Sequence, residues 1–160
     1  QEQSPKNGEV RKNVTSNRQS DAPTLSQMSS GPQRIFHIGA KAYDITALCE
    51  NIVSYSDITY ITLSITNNSG VSYDIKDATF VLESKKRNKR SVVIEKTIFP
   101  EGRHGSLNCP VGEKATMAYS FKKITLSNDQ VLKIYLYEHG GQRNLEMTIN
   151  TNDINKARNE

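Results

Sequence analysis

Residues 57–70 read DITYITLSITNNSG. Ile61, Leu63 and Ile65 alternate with Thr62, Ser64 and Thr66, and Asn67 to Gly70 end the run with turn formers. Successive side chains of an extended backbone point to opposite faces, so a period of two predicts a half-buried β-strand. The same period recurs down the chain. DATFVLES (77–84) sets Phe80 and Leu82 on one face, and SVVIEKTIF (91–99) does so with Val92, Ile94 and Ile98, Lys96 being the exception. KATMAYSF (114–121) alternates through Ala115, Met117, Tyr119 and Phe121. VLKIYLYE (131–138) runs through Leu132, Ile134 and Leu136 with Tyr135 and Tyr137 opposite, and NLEMTIN (144–150) adds Leu145, Met147 and Ile149. Strands at this spacing, separated by turn residues, predict an antiparallel sandwich or barrel.

The connections are less uniform. HGGQ (139–142) places Gly140 and Gly141 between two strands, which suits a two-residue hairpin turn with positive φ at both central positions. PEGRHGSLNCPVG (100–112) is long, and its glycines and prolines argue against regular structure. In DITALCENIVSYSD (44–57), Ile45, Leu48, Cys49 and Ile52 have helical spacing while NIVSY has strand composition, and periodicity alone leans towards a short helix. The closing NDINKARNE can start a short helix capped by Asn152 or Asp153.

A chain of 160 residues has room for one domain with a real core. Its 35% apolar content is low and unevenly spread. Residues 1–33 are almost all polar, with no aromatic, and cannot bury enough apolar surface to offset the entropy of ordering them. They are expected to form a disordered linker or tail, with the folded domain spanning residues 34–160. The chain opens on Gln1, which reads as a processed or truncated product, and no apolar run approaches the ~18–20 residues that cross a bilayer.

The net charge of +4 conceals one basic spot. Lys85, Lys86, Arg87, Lys89 and Arg90 hold five charges within six residues, so the remainder sums to about −1. Such a knot at a hairpin tip keeps the tip soluble, or docks an acidic protein or anionic lipid, or meets nucleic acid. The nearest aromatics, Phe80 and Phe99, fall in expected core strands, which leaves no stacking platform for bases and ranks nucleic acid last of the three.

No catalytic motif, phosphate-binding loop or metal-ligand spacing is present, and His37, His104 and His139 are far apart in sequence. The reading is therefore non-enzymatic, without cofactor or metal. Cys49 and Cys109 are either two buried thiols or a disulfide of an oxidising compartment.

Three stretches carry a family resemblance. Residues 67–101 (NNSGVSYDIKDATFVLESKKRNKRSVVIEKTIFPE), 119–149 (YSFKKITLSNDQVLKIYLYEHGGQRNLEMTI) and 150–158 (NTNDINKAR) follow one another in an order that resembles the TraN proteins of Bacteroidetes conjugative transposons. The two cysteines lie outside that pattern. The resemblance implies an immunoglobulin-like β-sandwich of about seven strands. It also implies a periplasmic, outer-membrane-associated role in a type IV secretion-like machine, where the chain would bind a small lipoprotein and a bridging channel protein, in a ring. It further implies that ALCENIVSY is a strand that turns through YSD into the next. Interface candidates are the basic hairpin from Lys85 to Arg90, the turn residues Gly140, Gly141 and Arg143, and Tyr135 with Tyr137 if their face is outward. The alternatives are a binder of DNA or an anionic surface through residues 85–90, and a secreted adhesin or glycan-binding module. The latter would have to build its aromatic platform without tryptophan.

Overall fold

A computed structural model of the protein describes residues 22–85 and 93–159. Two sheets stack into a β-sandwich. Strands β1 (Gly39–Ala42), β2 (Ile45–Tyr55), β3 (Ile58–Asn67), β6 (Gly102–Gly105), β7 (Lys114–Lys122) and β10 (Arg158–Asn159) form the first, in the order β1-β2-β3-β7-β6, with β10 parallel to β2. Strands β4 (Ile75–Lys85), β5 (Val93–Ile98), β8 (Gln130–Glu138) and β9 (Leu145–Ile149) form the second, in the order β5-β4-β8-β9. Every strand pair except β10–β2 is antiparallel. Seven of the strands have five residues or more, matching the expected number, and β1, β6 and β10 are short additions.

The alternating residues meet between the sheets. Ile61, Leu63 and Ile65 of β3 belong to one buried cluster with Ile134, Leu136 and Met147 of the second sheet. Phe80 of β4 sits edge-on to Tyr119 and Phe121 of β7, at ring-centroid distances of 5.0 and 4.7 Å, and joins the two sheets. Offset and edge-on ring pairs add to the burial of their area.

Three expectations fail for identifiable reasons. The helical lean over residues 45–52 is wrong: they belong to β2, which turns through Ser56-Asp57 into β3. A register shift between Cys49 and Asn51 bulges Glu50 out of the ladder. Ile45, Ala47 and Cys49 face the core before the bulge and Ile52 after it, so the extra residue breaks the period of two and imitates a helix.

Second, the ordered chain begins before Arg34. Helix α1 (Leu25–Ser30) carries a capping box, in which the Gln27 N–H donates to Thr24 Oγ1 at 3.1 Å and the Thr24 N–H donates to Gln27 Oε1 at 3.0 Å. Met28 of α1 packs with Val53, Tyr60 and Ala118, and the Tyr60 hydroxyl donates to Pro23 O. The outer face of β3 is therefore covered too, and the strand read as half-buried is buried on both sides.

Third, the segment 100–112 is partly regular, since β6 pairs with β7 and Cys109 bridges to Tyr73. Gly105 has φ +112°, and a Cβ there would meet Thr116 O at 2.2 Å, so glycine lets β6 approach β7 rather than breaking it. A two-residue turn with positive φ at both positions exists, but at Tyr43 (58°) and Asp44 (59°) between β1 and β2. The Gly140-Gly141 connection instead spans residues 139–144, and only Gly140 (67°) has positive φ. The closing helix, α2 (Thr151–Asn155), starts earlier than expected: its N-cap is Asn150 rather than Asn152 or Asp153, and Asp153 accepts from the Asn150 N–H.

Candidate functional site

Strand β4 runs on to Lys85, the first cation of the basic knot, and pairs there with Val93 of β5. Lys86, Arg87, Lys89 and Arg90 lie outside the described residues. Strand β5 is placed differently from its expected core position. β5 has β4 on one side and no strand on the other among the described residues. Ile94 is 45% exposed, Glu95, Lys96 and Thr97 are exposed, and Ile98 packs against the core. Phe99, expected inside, is 78% exposed, because the strand ends at Ile98 and Pro100 turns the chain across to the other sheet.

Beside this edge is a groove of about 580 Å³ between the sheets. Its apolar lining comes from Leu82, Ile98 and Phe99 on the β5 side and from Phe121 and Ile124 at the end of β7. Lys96, Lys122 and Lys123 also line it, against one carboxylate, Glu101, whose Oε1 is 4.0 Å from Lys122 Nζ. Residues 122–124 gave no such signal in sequence. Lys96 stands out in sequence as the one charged residue on the apolar face of its strand, but that alone does not mark an edge.

Tyr135 and Tyr137 lie on the outer face of the second sheet, as an interface role requires. Their rings stack 5.9 Å apart with an interplanar angle of 8°, and Tyr137 is 48% exposed. The Tyr135 hydroxyl donates to Glu83 Oε1 at 3.3 Å, and beside it Lys133 Nζ is 2.6 Å from Glu146 Oε1. Burial, and after it the carboxylates of Glu83 and Glu146, push the Tyr135 phenol up to about 12.

Arg143 has a structural task. Its Nε donates to Glu138 Oε2 at 2.6 Å, its other nitrogens reach Ser69 Oγ (3.0 Å) and Ser72 O (2.8 Å), and its guanidinium lies 5.1 Å from the Tyr73 ring centroid. The Tyr73 hydroxyl in turn donates to Arg143 O at 2.7 Å. The arginine thus fastens the 139–144 turn to the 67–73 loop. Gly141 makes room for this, since a Cβ there would meet Glu138 Oε1 at 1.7 Å. Gly140 is exposed on the same turn.

The cysteines are not bridged. Cys49 and Cys109 are free and fully buried, in separate hydrogen bonds to Asn51 O and Glu113 O. Burial pushes the Cys49 thiol up to about 12 and raises that of Cys109 as well. Neither thiol should react with iodoacetamide in the native protein, and both should react after denaturation without reductant. A mass two hydrogens lighter, with no alkylation, would contradict this.

The histidines are not brought together. His37 meets Asp153 Oδ1 at 2.7 Å beside α2, His104 lies on β6, and His139 is in the turn after β8. Among the described residues no group of three or more His, Cys, Asp or Glu could hold a metal ion. No described helix is long and apolar enough to cross a membrane.

Over residues 21–159 the sequence matches the model of a family described as "Domain of unknown function (DUF4138)". Comparison with curated proteins finds no match. Among solved structures, the crystal structure of Spo0M, a sporulation control protein from Bacillus subtilis, is similar at 15% identity with a TM-score of 0.43. That similarity covers 70% of this chain and 49% of the other, so the chain spans about half of that structure's length.

Proposed function

The chain belongs to the DUF4138 family, and within it we propose that this protein is a non-catalytic scaffold subunit of a conjugative DNA-transfer apparatus in the cell envelope. The observation that carries the reading is the open β5 edge with its exposed apolar residues beside a lysine-rimmed groove. An unpaired strand edge offers a row of backbone donors and acceptors, and native sandwiches leave one open at a risk of aggregation unless something covers it. The resemblance of residues 67–101, 119–149 and 150–158 to the TraN proteins supplies the setting. It points to a periplasmic, outer-membrane-associated position, with a small lipoprotein and a bridging channel protein as partners in a ring.

The basic hairpin provides the test. Reversing Lys86, Arg87 and Lys89 together to Glu should lower transfer frequency on the order of a hundredfold, as loss of a charged docking contact does. Because surface substitutions of this kind cost little stability, the melting temperature should stay within about 2 °C. Undiminished transfer would reduce the cations to a solubility cap.

One observation favours a second reading, in which the same region holds single-stranded DNA. Phe99 is exposed beside Lys96, Lys122 and Lys123, and cations around an aromatic ring suit stacked bases. A labelled oligonucleotide that stays unbound at low salt ends that reading.

A further inference from the structure

We propose that the open edge of β5 takes an extended peptide strand whose groove-facing side chains are apolar except for one carboxylate set opposite Lys96. This rests on the scaffold reading and names the chemistry of the partner segment.

Register defines what such a strand meets. β5 pairs with β4 so that Ile98 lies opposite Phe80, Lys96 opposite Leu82, and Ile94 opposite Ser84. Phe80 is in the core, so Ile94, Lys96 and Ile98 share the inner face and Glu95 and Thr97 the outer one. A strand added to the free side of β5 would send alternate side chains into the groove between Leu82, Ile98, Phe121 and Ile124. That floor asks for aliphatic or aromatic groups. At the middle of the strand stands a lysine, and three of the groove's four charged residues are cationic. An apolar side chain opposite Lys96 would strand the ammonium against a dry surface, whereas a carboxylate would pair with it.

The same lysine argues against a second copy as occupant. Two copies of β5 lying antiparallel in one sheet keep inner faces together, so the symmetry axis must pass through a residue. The two registers with most overlap are centred on Glu95 or on Lys96, and each sets identical charges in direct opposition, which destabilises a pair. An inward-pointing charge on an edge strand is a known device against self-pairing. A nucleic acid fits less well than a peptide, because its phosphates would lie on the aliphatic floor and leave the β5 backbone unpaired.

The test uses the full chain and two blocked, fluorophore-labelled nonapeptides that alternate Val and Thr. One has Glu at its central Val-face position and the other Lys. Fluorescence anisotropy should show the Glu peptide binding at least about tenfold tighter than its Lys twin, and Lys96→Glu should reverse the order. Lys96→Leu should also shift the chain from monomer to dimer in sedimentation, since it removes the opposed charges. Equal binding of both peptides, binding of neither, an unchanged order in Lys96→Glu, or displacement of the Glu peptide by an equimolar oligonucleotide would each overturn the proposal. Because these assays use purified components, their failure leaves the scaffold reading to be judged in cells. A peptide preference without any envelope partner in cells would instead separate the site chemistry from that reading.

Discussion

Phe80→Ala should lower the free energy of unfolding by about 4 kcal/mol, the middle of the range for truncating a buried phenylalanine. The residue is 1% exposed and touches both Tyr119 and Phe121 edge-on, at interplanar angles of 71° and 72°. Truncation removes two aromatic contacts and opens a void between sheets that are held apart by the surrounding strands, so the site collapses poorly. In a domain of this size the loss corresponds to a fall in melting temperature of roughly 10 °C. Phe80→Leu keeps most of the volume and should cost about 1.5 kcal/mol. Denaturant unfolding of both variants checks this. A loss below about 1 kcal/mol for the alanine variant would mean that the sheets do not meet at this ring.

Arg143→Ala should cost about 3 kcal/mol, at the lower end for breaking a mostly buried ion pair. The side chains of Arg143 and Glu138 are only 19% and 11% exposed, so the substitution leaves a carboxylate without its main partner and also releases Ser69 and the Ser72 carbonyl. The pair has a pH signature. Its hydrogen bond to Arg143 holds the Glu138 carboxyl below its ordinary value of 4.5. Its contribution is therefore fully present above about pH 4.5 and is lost as pH falls through the lower folded value. Wild-type stability should drop in that acidic window by an increment that Arg143→Ala lacks. Parallel acid profiles for the two proteins would contradict the staple. The result also bears on Arg143 as an interface residue, since its hydrogen bonds are spent inside the fold.

The strands with uninterrupted alternation were legible in sequence, because a sheet with one face on a core imposes its period directly. β3, β7, β8 and β9 were found on that basis. What escaped was whatever one residue or one neighbour changes. The bulge at Glu50 shifted the phase of β2 and made it look helical. α1 was hidden in a polar segment because it buries little beyond Met28, although Thr24-Leu25-Ser26-Gln27 is a capping-box pattern that could have revealed it. The glycines of residues 100–112 argue against regular structure, yet one of them, Gly105, permits the close pairing of β6 with β7.

The candidate site was harder to read, because edge position is a property of topology. VIEKTI has the composition of a core strand, and nothing local says that only β4 will flank it. Lys96 was visible as an exception but not as a groove residue, since Phe121 to Ile124 reach it from 25 residues further on or more. Tyr135 and Tyr137 were placed on the correct strand, and the structure decided their face.

The scaffold reading is tested most directly by photo-crosslinking in cells that carry the transfer element. A photoreactive side chain is introduced at Phe99 in one variant and, as a control at the far end of the sandwich, at Val111 in another. The expected result is a protease-sensitive adduct from position 99 alone, containing another envelope protein of the same element. A nuclease-sensitive adduct, or equal labelling from both positions, would contradict a protein partner at the β5 edge.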